Sequence, residues 1–217
     1  MDYPLALALV DFLPVLAMTA GISLLVPFVR RMAGPSIATA ALAGGALTVT
    51  GGALKAVWKL IVASGGPDIV WMAKAQFFLL GPGFTLLAWA LLSTAPSTAG
   101  RRPPLWAFAA FAVAGLAAAA ALGGTWPLLI VTTVSATILG VRLLLLSRRA
   151  NQVAATFLFG FNLLGTYAMG ILAGQPEQTI ALQWVEESLN TLTWTAFAMG
   201  VWRLARAKTL LTEQLFR

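Results

Sequence analysis

The sequence predicts an all-α membrane protein with seven transmembrane helices, N-terminus outside and C-terminus cytoplasmic. Three observations carry this expectation. Of 217 residues, 59% are hydrophobic and 10% charged, against about 25% charged in an ordinary soluble domain. Seven apolar runs each reach the roughly 20 residues that cross a bilayer. The Lys and Arg residues of the short connections fall on alternate connections only, the bias that marks cytoplasmic loops.

The first run, 4–29, lies in MDYPLALALVDFLPVLAMTAGISLLVPFVRR. No basic stretch precedes it and Asp11 interrupts it, so it reads as a span and not as a cleaved signal peptide. MAGPS leads into the second run, 36–64, and SGGPD into the third, 69–95. STAPSTAGRRPP precedes the fourth, 104–122, and GGTW the fifth, 126–147. SRRANQ precedes the sixth, 151–173, and GQPEQ the seventh, 178–205. Each connection carries the Gly, Pro, Ser or Asn of turns. None can hold a second domain, so 1–217 reads as a single seven-helix domain. The tail 206–217, part of ARAKTLLTEQLFR, extends the seventh helix or lies along the inner headgroups.

Orientation follows from the basic residues. Arg30 and Arg31 follow the first span, Arg101 and Arg102 precede the fourth, and Arg148 and Arg149 follow the fifth; Arg203, Arg206 and Lys208 close the seventh. The opposite connections carry Asp2, Asp68 and Glu177 and no Lys or Arg. The net charge of +7 therefore reflects loop placement and gives no nucleic-acid surface. With neither cysteine nor histidine in the chain, zinc hydrolases and Ser-His-Asp catalysis are excluded in their usual forms. No cofactor or metal is expected. The alanine-rich, cysteine-free style suggests a prokaryotic plasma (inner) membrane.

An internal repeat of three spans, one linker and three spans is the next expectation. Trp71 and Trp89 are 18 positions apart, as are Trp184 and Trp202, and Lys74 and Glu187 share an offset from the first of each pair. The first and fifth spans both run into an Arg-Arg pair. In helix count, orientation and this repeat the chain resembles the seven-helix group of SWEET sugar carriers, vitamin-precursor carriers and microbial rhodopsins. The resemblance is one of architecture, with no family motif. A retinal pigment would need a lysine midway along the seventh span, where SLNTLTWTAFAMGVWRL has none.

The candidate site comes from charges inside the spans. At about 1.5 Å per residue, Lys59 lies roughly 7 Å and Lys55 roughly 13 Å inside the outer end of the second span. On the same rise Lys74 is roughly 8 Å into the third span, Asp11 roughly 10 Å into the first, and Glu186 and Glu187 roughly 12 Å into the seventh. A charge at the centre of a spanning helix costs about 2.5–3.5 kcal/mol. Six unshared charges at full depth would cost on the order of 15–20 kcal/mol, so they must snorkel, pair or line a wet cavity. Thr48, Gly52, Lys55 and Lys59 share one helical stripe; Gln183, Glu186, Asn190 and Thr193 share another, flanked by Glu187, Thr191 and Trp194. These are the expected walls of an outward cavity. Asn162, Thr166 and Tyr167 reach the midplane from the sixth span, and Gly81, Pro82 and Gly83 kink the third. Trp58, Trp71 and Trp184 are placed to stack on a planar or cationic ligand.

Structural readings stand beside these. Lys59 and Lys74 are long enough to snorkel, and Arg142 snorkels to the cytoplasmic face. Asp11 caps backbone groups near Pro14. Glu186 and Glu187 point to different faces, only one of them inward. Asn162 and Asn190 act as interhelical glue, and the tryptophans as interfacial anchors. Gly44, Gly45, Gly51 and Gly52 let a neighbour pack closely or let the second span bend. Lys55 is the hardest to assign to structure alone, since its depth demands a partner, Glu186 or Asp11.

Three function classes follow. A carrier would bind a small polar or zwitterionic solute among Asp11, Lys55, Lys59, Lys74, Glu186, Glu187, Asn190, Asn162, Trp58 and Trp184, with one carboxylate able to carry a proton. A receptor or docking subunit would present the Lys55–Lys59 face to a membrane partner or a second copy. An intramembrane lipid-modifying enzyme would use carboxylates and a lysine as acid and base.

Overall fold

The computed structural model describes residues 4–94, 102–173, 175 and 179–215. Its helices are α1 (Leu5–Val10), α2 (Phe12–Ala33), α3 (Pro35–Ala63), α4 (Val70–Leu92), α5 (Leu105–Leu122), α6 (Trp126–Arg149), α7 (Val153–Ala173) and α8 (Ile180–Leu215). The described residues contain no strand. Arg101, Asp2 and Glu177 lie outside them.

Helices α1 and α2 form one apolar span, Leu5–Ala33, broken by a turn at Asp11. Pro14 explains the break: it has no N–H for the Val10 carbonyl one turn back. Asp11 makes no capping bond at this junction, so its carboxylate is left for another partner. Six of the seven long helical units are apolar enough to cross a membrane by length and composition. The seventh, α8, is the longest at 36 residues but falls below that mark, because Gln183, Glu186, Glu187, Asn190 and several threonines sit along it. The chain is a multi-pass helical bundle of membrane type. In keeping with this, large apolar side chains such as Leu16, Val113, Phe157, Leu164 and Ile171 face outward, which in water would be a liability and in lipid is the matching surface.

The packing order is a closed ring: α2 against α3, α3 against α4, α4 against α6, α6 against α7, α7 against α8, and α8 back against α2. Helix α5 stands outside it, touching α4 and α6. Arg30 and Arg31 at the end of α2, Arg102 ahead of α5, and Arg148 and Arg149 at the end of α6 share one end of the bundle, where the Arg102 guanidinium donates to the Ala33 carbonyl at 3.2 Å.

That end is filled with apolar side chains. Leu25, Phe28 and Val29 of α2 pack with Leu87 and Leu91 of α4, Leu143 of α6, Phe159 of α7 and Val201 and Leu204 of α8. Two glycines set the α3–α4 contact: a Cβ on Gly44 would lie 2.7 Å from the Gly83 carbonyl oxygen, and one on Gly83 would lie 2.8 Å from the Gly44 oxygen. Thr85 and Ser135 share a buried hydrogen bond of 3.0 Å between α4 and α6. Helix α4 runs through Pro82 without interruption.

One expectation for this end needs correction. Arg142 does not snorkel: it is buried, with Nε and one terminal nitrogen making no hydrogen bond. It lies two turns beyond Ser135 on the face that meets α4, so the ring closes over it although its distance from the helix end is short. Beyond 205 helix α8 continues unbroken to Leu215, extending the seventh helix.

Candidate functional site

In the half of the bundle away from the arginines, one ammonium group holds two carboxylates. Lys59 Nζ donates to Asp11 Oδ1 at 3.0 Å and lies 2.8 Å from Asp11 Oδ2. It donates to Glu187 Oε1 at 2.9 Å. All three side chains are almost completely buried. The triad joins the α1–α2 turn, the last turns of α3 and the upper part of α8. Each element supplies its residue for a local reason: the proline-broken turn exposes Asp11, and the α3 stripe through Thr48, Gly52 and Lys55 brings Lys59 to the same face.

Below the triad lies a cavity of about 200 Å³ lined from all six ring helices. Asp11 and Glu187 form part of its wall, with Lys55 one turn deeper on α3 and close enough to Glu187 for their charges to interact. Gln76, Thr132, Thr133, Thr166, Asn190 and Thr193 add polar groups; Met18, Phe77 and Met169 add apolar ones. The floor is aromatic. Phe84 stacks on Trp194 at 6.0 Å between ring centroids, and Trp194 meets Phe197 edge-on at 5.4 Å. Phe197 is fully buried, and the tightly packed apolar end begins there. The volume is that of on the order of seven waters, which suits a small solute rather than a lipid chain.

The predicted residues are thus sorted. Asp11, Lys59 and Glu187 meet directly, and Lys55 and Asn190 line the cavity beside them. The lysine in contact with carboxylates is Lys59, which the sequence offers as a snorkelling residue, while Lys55 is half-buried. Glu187, on the edge of the α8 stripe, makes the ion pair, and Glu186 makes no salt bridge among the described residues. Asn162 is interhelical glue, donating to the Thr193 carbonyl at 3.0 Å. Trp58 donates to Asp68 at 2.8 Å, outside the cavity, and Trp184 and Trp71 are exposed. Lys74 is exposed and takes no part in the cluster. Lys74→Ala is therefore expected to move the melting temperature no more than an ordinary surface change, within about 0.5 kcal/mol; a larger loss in a thermal melt would show that the side chain has a structural partner.

Gln76 and the Thr132–Thr133 pair were not among the predicted residues. The hydroxyl run VTTVSAT in α6 is the signal that marks such a wall: Thr132 and Thr133 line the cavity and Ser135 bonds Thr85.

A multi-pass bundle with a central, mixed-charge cavity walled by six of its helices defines the class. No protein-family model, curated protein or solved structure matches the chain.

Proposed function

We propose that the protein is a membrane carrier that binds a small polar or zwitterionic solute in the cavity beneath the Asp11–Lys59–Glu187 triad. The observation that carries this reading is the cavity's place at the centre of the ring. Every helix of the ring contributes to its wall, so a solute inside touches both α2–α3–α4 and α6–α7–α8. Relative movement of those two groups would change access to it, as in carriers built from repeated halves. The ring order, with α5 outside, supports the parallel three-one-three repeat and kinship with the seven-helix carrier architecture. The arginine-rich end supports a cytoplasmic C-terminus. With that orientation the cavity belongs to the outer half, and the aromatic floor of Phe84, Trp194 and Phe197 closes the inner path.

The chemistry of the wall favours a solute carrying both charges. The wall carries the carboxylates of Asp11 and Glu187, both bound to Lys59 above, and one ammonium group, Lys55; the Lys55 and Asn190 side chains lie in reach of an anionic group, and the Trp194 face suits a cationic or planar one. Proton coupling is the finer form of this reading.

Melting the detergent-solubilised protein against amino acids, betaines and other small zwitterions tests it. A solute that binds only the folded state at about a hundred times its Kd adds about 2.7 kcal/mol of stability, and the shift should vanish in Lys55→Ala and Trp194→Ala. No shift with any compound, or a shift unchanged in both variants, would count against a carrier site in this cavity.

A further inference from the structure

Helix α7 carries an open groove of about 630 Å³ on its outer face. Val153, Phe157, Gly160, Phe161 and Leu164 form it, all on one helical stripe. Phe157, Leu164 and Val153 are 76%, 69% and 68% exposed. Nothing lies within 4 Å of a Cβ built on Gly160, so the stripe is hollow at its middle.

One end of the groove is polar. Arg148, from the last turn of α6, lines it there with Asn151 and Gln152 of the turn into α7. Backbone bonds fix that turn. The Asn151 N–H donates to the Arg148 carbonyl at 3.0 Å and the Gln152 N–H to the Ser147 carbonyl at 2.9 Å. Asn151 holds the left-handed conformation that asparagine tolerates (φ 53°). The side-chain amides of Asn151 and Gln152 make no hydrogen bond among the described residues. No carboxylate faces Arg148 from its own hairpin, since α6 and α7 contain neither Asp nor Glu. Both salt bridges of the described residues belong to Lys59.

Length and charge identify the occupant. From Val153 to Leu164 the helix rises about 17 Å, close to half of the roughly 30 Å hydrocarbon core of a bilayer. The apolar stripe therefore spans one leaflet, the reach of a single acyl chain. A guanidinium at its head matches the planar, two-pronged geometry of phosphate recognition, and basic pockets at a membrane end take anionic headgroups. A second copy of the chain fits less well. A two-fold axis through this face would bring Arg148 and Arg149 of both copies together, with no acid on either hairpin to separate them.

We propose that the groove is a binding site for one anionic phospholipid of the leaflet at the arginine end. Its phosphate rests on Arg148, Asn151 and Gln152, and one acyl chain lies over Gly160 between Phe157, Phe161 and Leu164. The site is separate from the central cavity and stands whether or not that cavity carries a solute.

Native mass spectrometry tests it, with the full chain delipidated in detergent and then given phosphatidylglycerol or phosphatidylcholine of identical acyl chains. One phosphatidylglycerol per chain is expected to be retained in preference to phosphatidylcholine. Arg148→Gln should weaken the anionic lipid about fivefold, the effect of one basic residue at a membrane surface. Arg203→Gln, at an exposed arginine of the same end outside the groove, should leave it unchanged. Gly160→Trp, which fills the hollow, and Phe157→Ala with Leu164→Ala, which strip its walls, should weaken both lipids. Equal retention of the two lipids, equal loss in Arg148→Gln and Arg203→Gln, or undiminished binding in the groove variants would overturn the proposal. So would displacement of phosphatidylglycerol by equimolar glycerol phosphate, which has no acyl chain. A dimer that Gly160→Trp dissociates would overturn it too, making the groove an interface between copies.

Discussion

Lys59→Met should destabilise the protein by about 3–5 kcal/mol, the loss expected when one member of a buried ion pair is removed and its partner is left charged and dry. The effect is large here because one ammonium serves two carboxylates. Asp11 and Glu187 both reach Nζ within 3.0 Å, so a single substitution leaves two acids without a cation in the same place. Denaturant or thermal unfolding in detergent measures it directly. The companion experiment separates charge from packing: Asp11→Asn and Glu187→Gln placed in the Lys59→Met background should restore most of the loss, since replacing a whole buried ionic group by neutral residues of similar volume is often close to neutral. The quadruple comparison is a coupling measurement of residues in mutual contact, where single effects do not add. A Lys59→Met protein that melts like the wild type would mean that the triad contributes nothing to the folded state. It would also leave the cavity without its fixed upper wall.

The triad shows how far one-dimensional information reaches. That Asp11, Lys59 and Glu187 would stand at a common height was legible, because position along a helix converts directly into height at a fixed rise. So was the α3 stripe, because 3.6-residue periodicity assigns Thr48, Gly52, Lys55 and Lys59 to one side. What was not legible is which lysine on that stripe would be covered. Lys59 stands nearer the end of α3 and looks free to reach water. It is buried because α1 continues the first span upward, with Leu7 and Ala8 fully enclosed, and because α8 closes on it from the other side. Burial is a property of neighbours, and the short helix ahead of Asp11 is invisible until the chain is folded. The same reason separates Glu187 from Glu186. Adjacent positions on a helix point about 100° apart, so one of them had to miss, and only the packing of α8 between α2 and α7 decides which. The two readings of the tryptophans separate for a related reason. Trp58 and Trp184 have the outer positions expected of ligand contacts or anchors, but the ring in the cavity is Trp194, held by Phe84 and Phe197.

Gly83→Ala is expected to be the most damaging single-methyl change in the bundle. The added Cβ would stand 2.8 Å from the Gly44 oxygen, 2.8 Å from Thr48 Cγ2 and 3.0 Å from the Thr48 backbone nitrogen. Two of these are backbone atoms, which cannot rotate away as a side-chain end can, so α3 and α4 must separate. Overpacking of this kind costs about 1–3 kcal/mol, occasionally more, and the upper end applies because the strain falls on two whole helices. The consequence reaches the site. Helix α3 carries Lys55 and Lys59, and α4 carries Gln76, Phe77 and Phe84; moving them apart widens the cavity and loosens the Lys59 ion pairs together. Gly44→Ala should act through the same contact, meeting the Gly83 oxygen at 2.7 Å and Leu86 Cβ at 2.9 Å. The double variant should then cost less than the sum, since the first methyl has already opened the gap. Gly160→Ala is the control: nothing lies within 4 Å of its Cβ, and alanine is the better helix former by about 1 kcal/mol. Melting temperatures of the four variants decide the matter. If Gly83→Ala and Gly160→Ala melt alike, the close approach of α3 and α4 is not what holds the two cavity walls at their present distance.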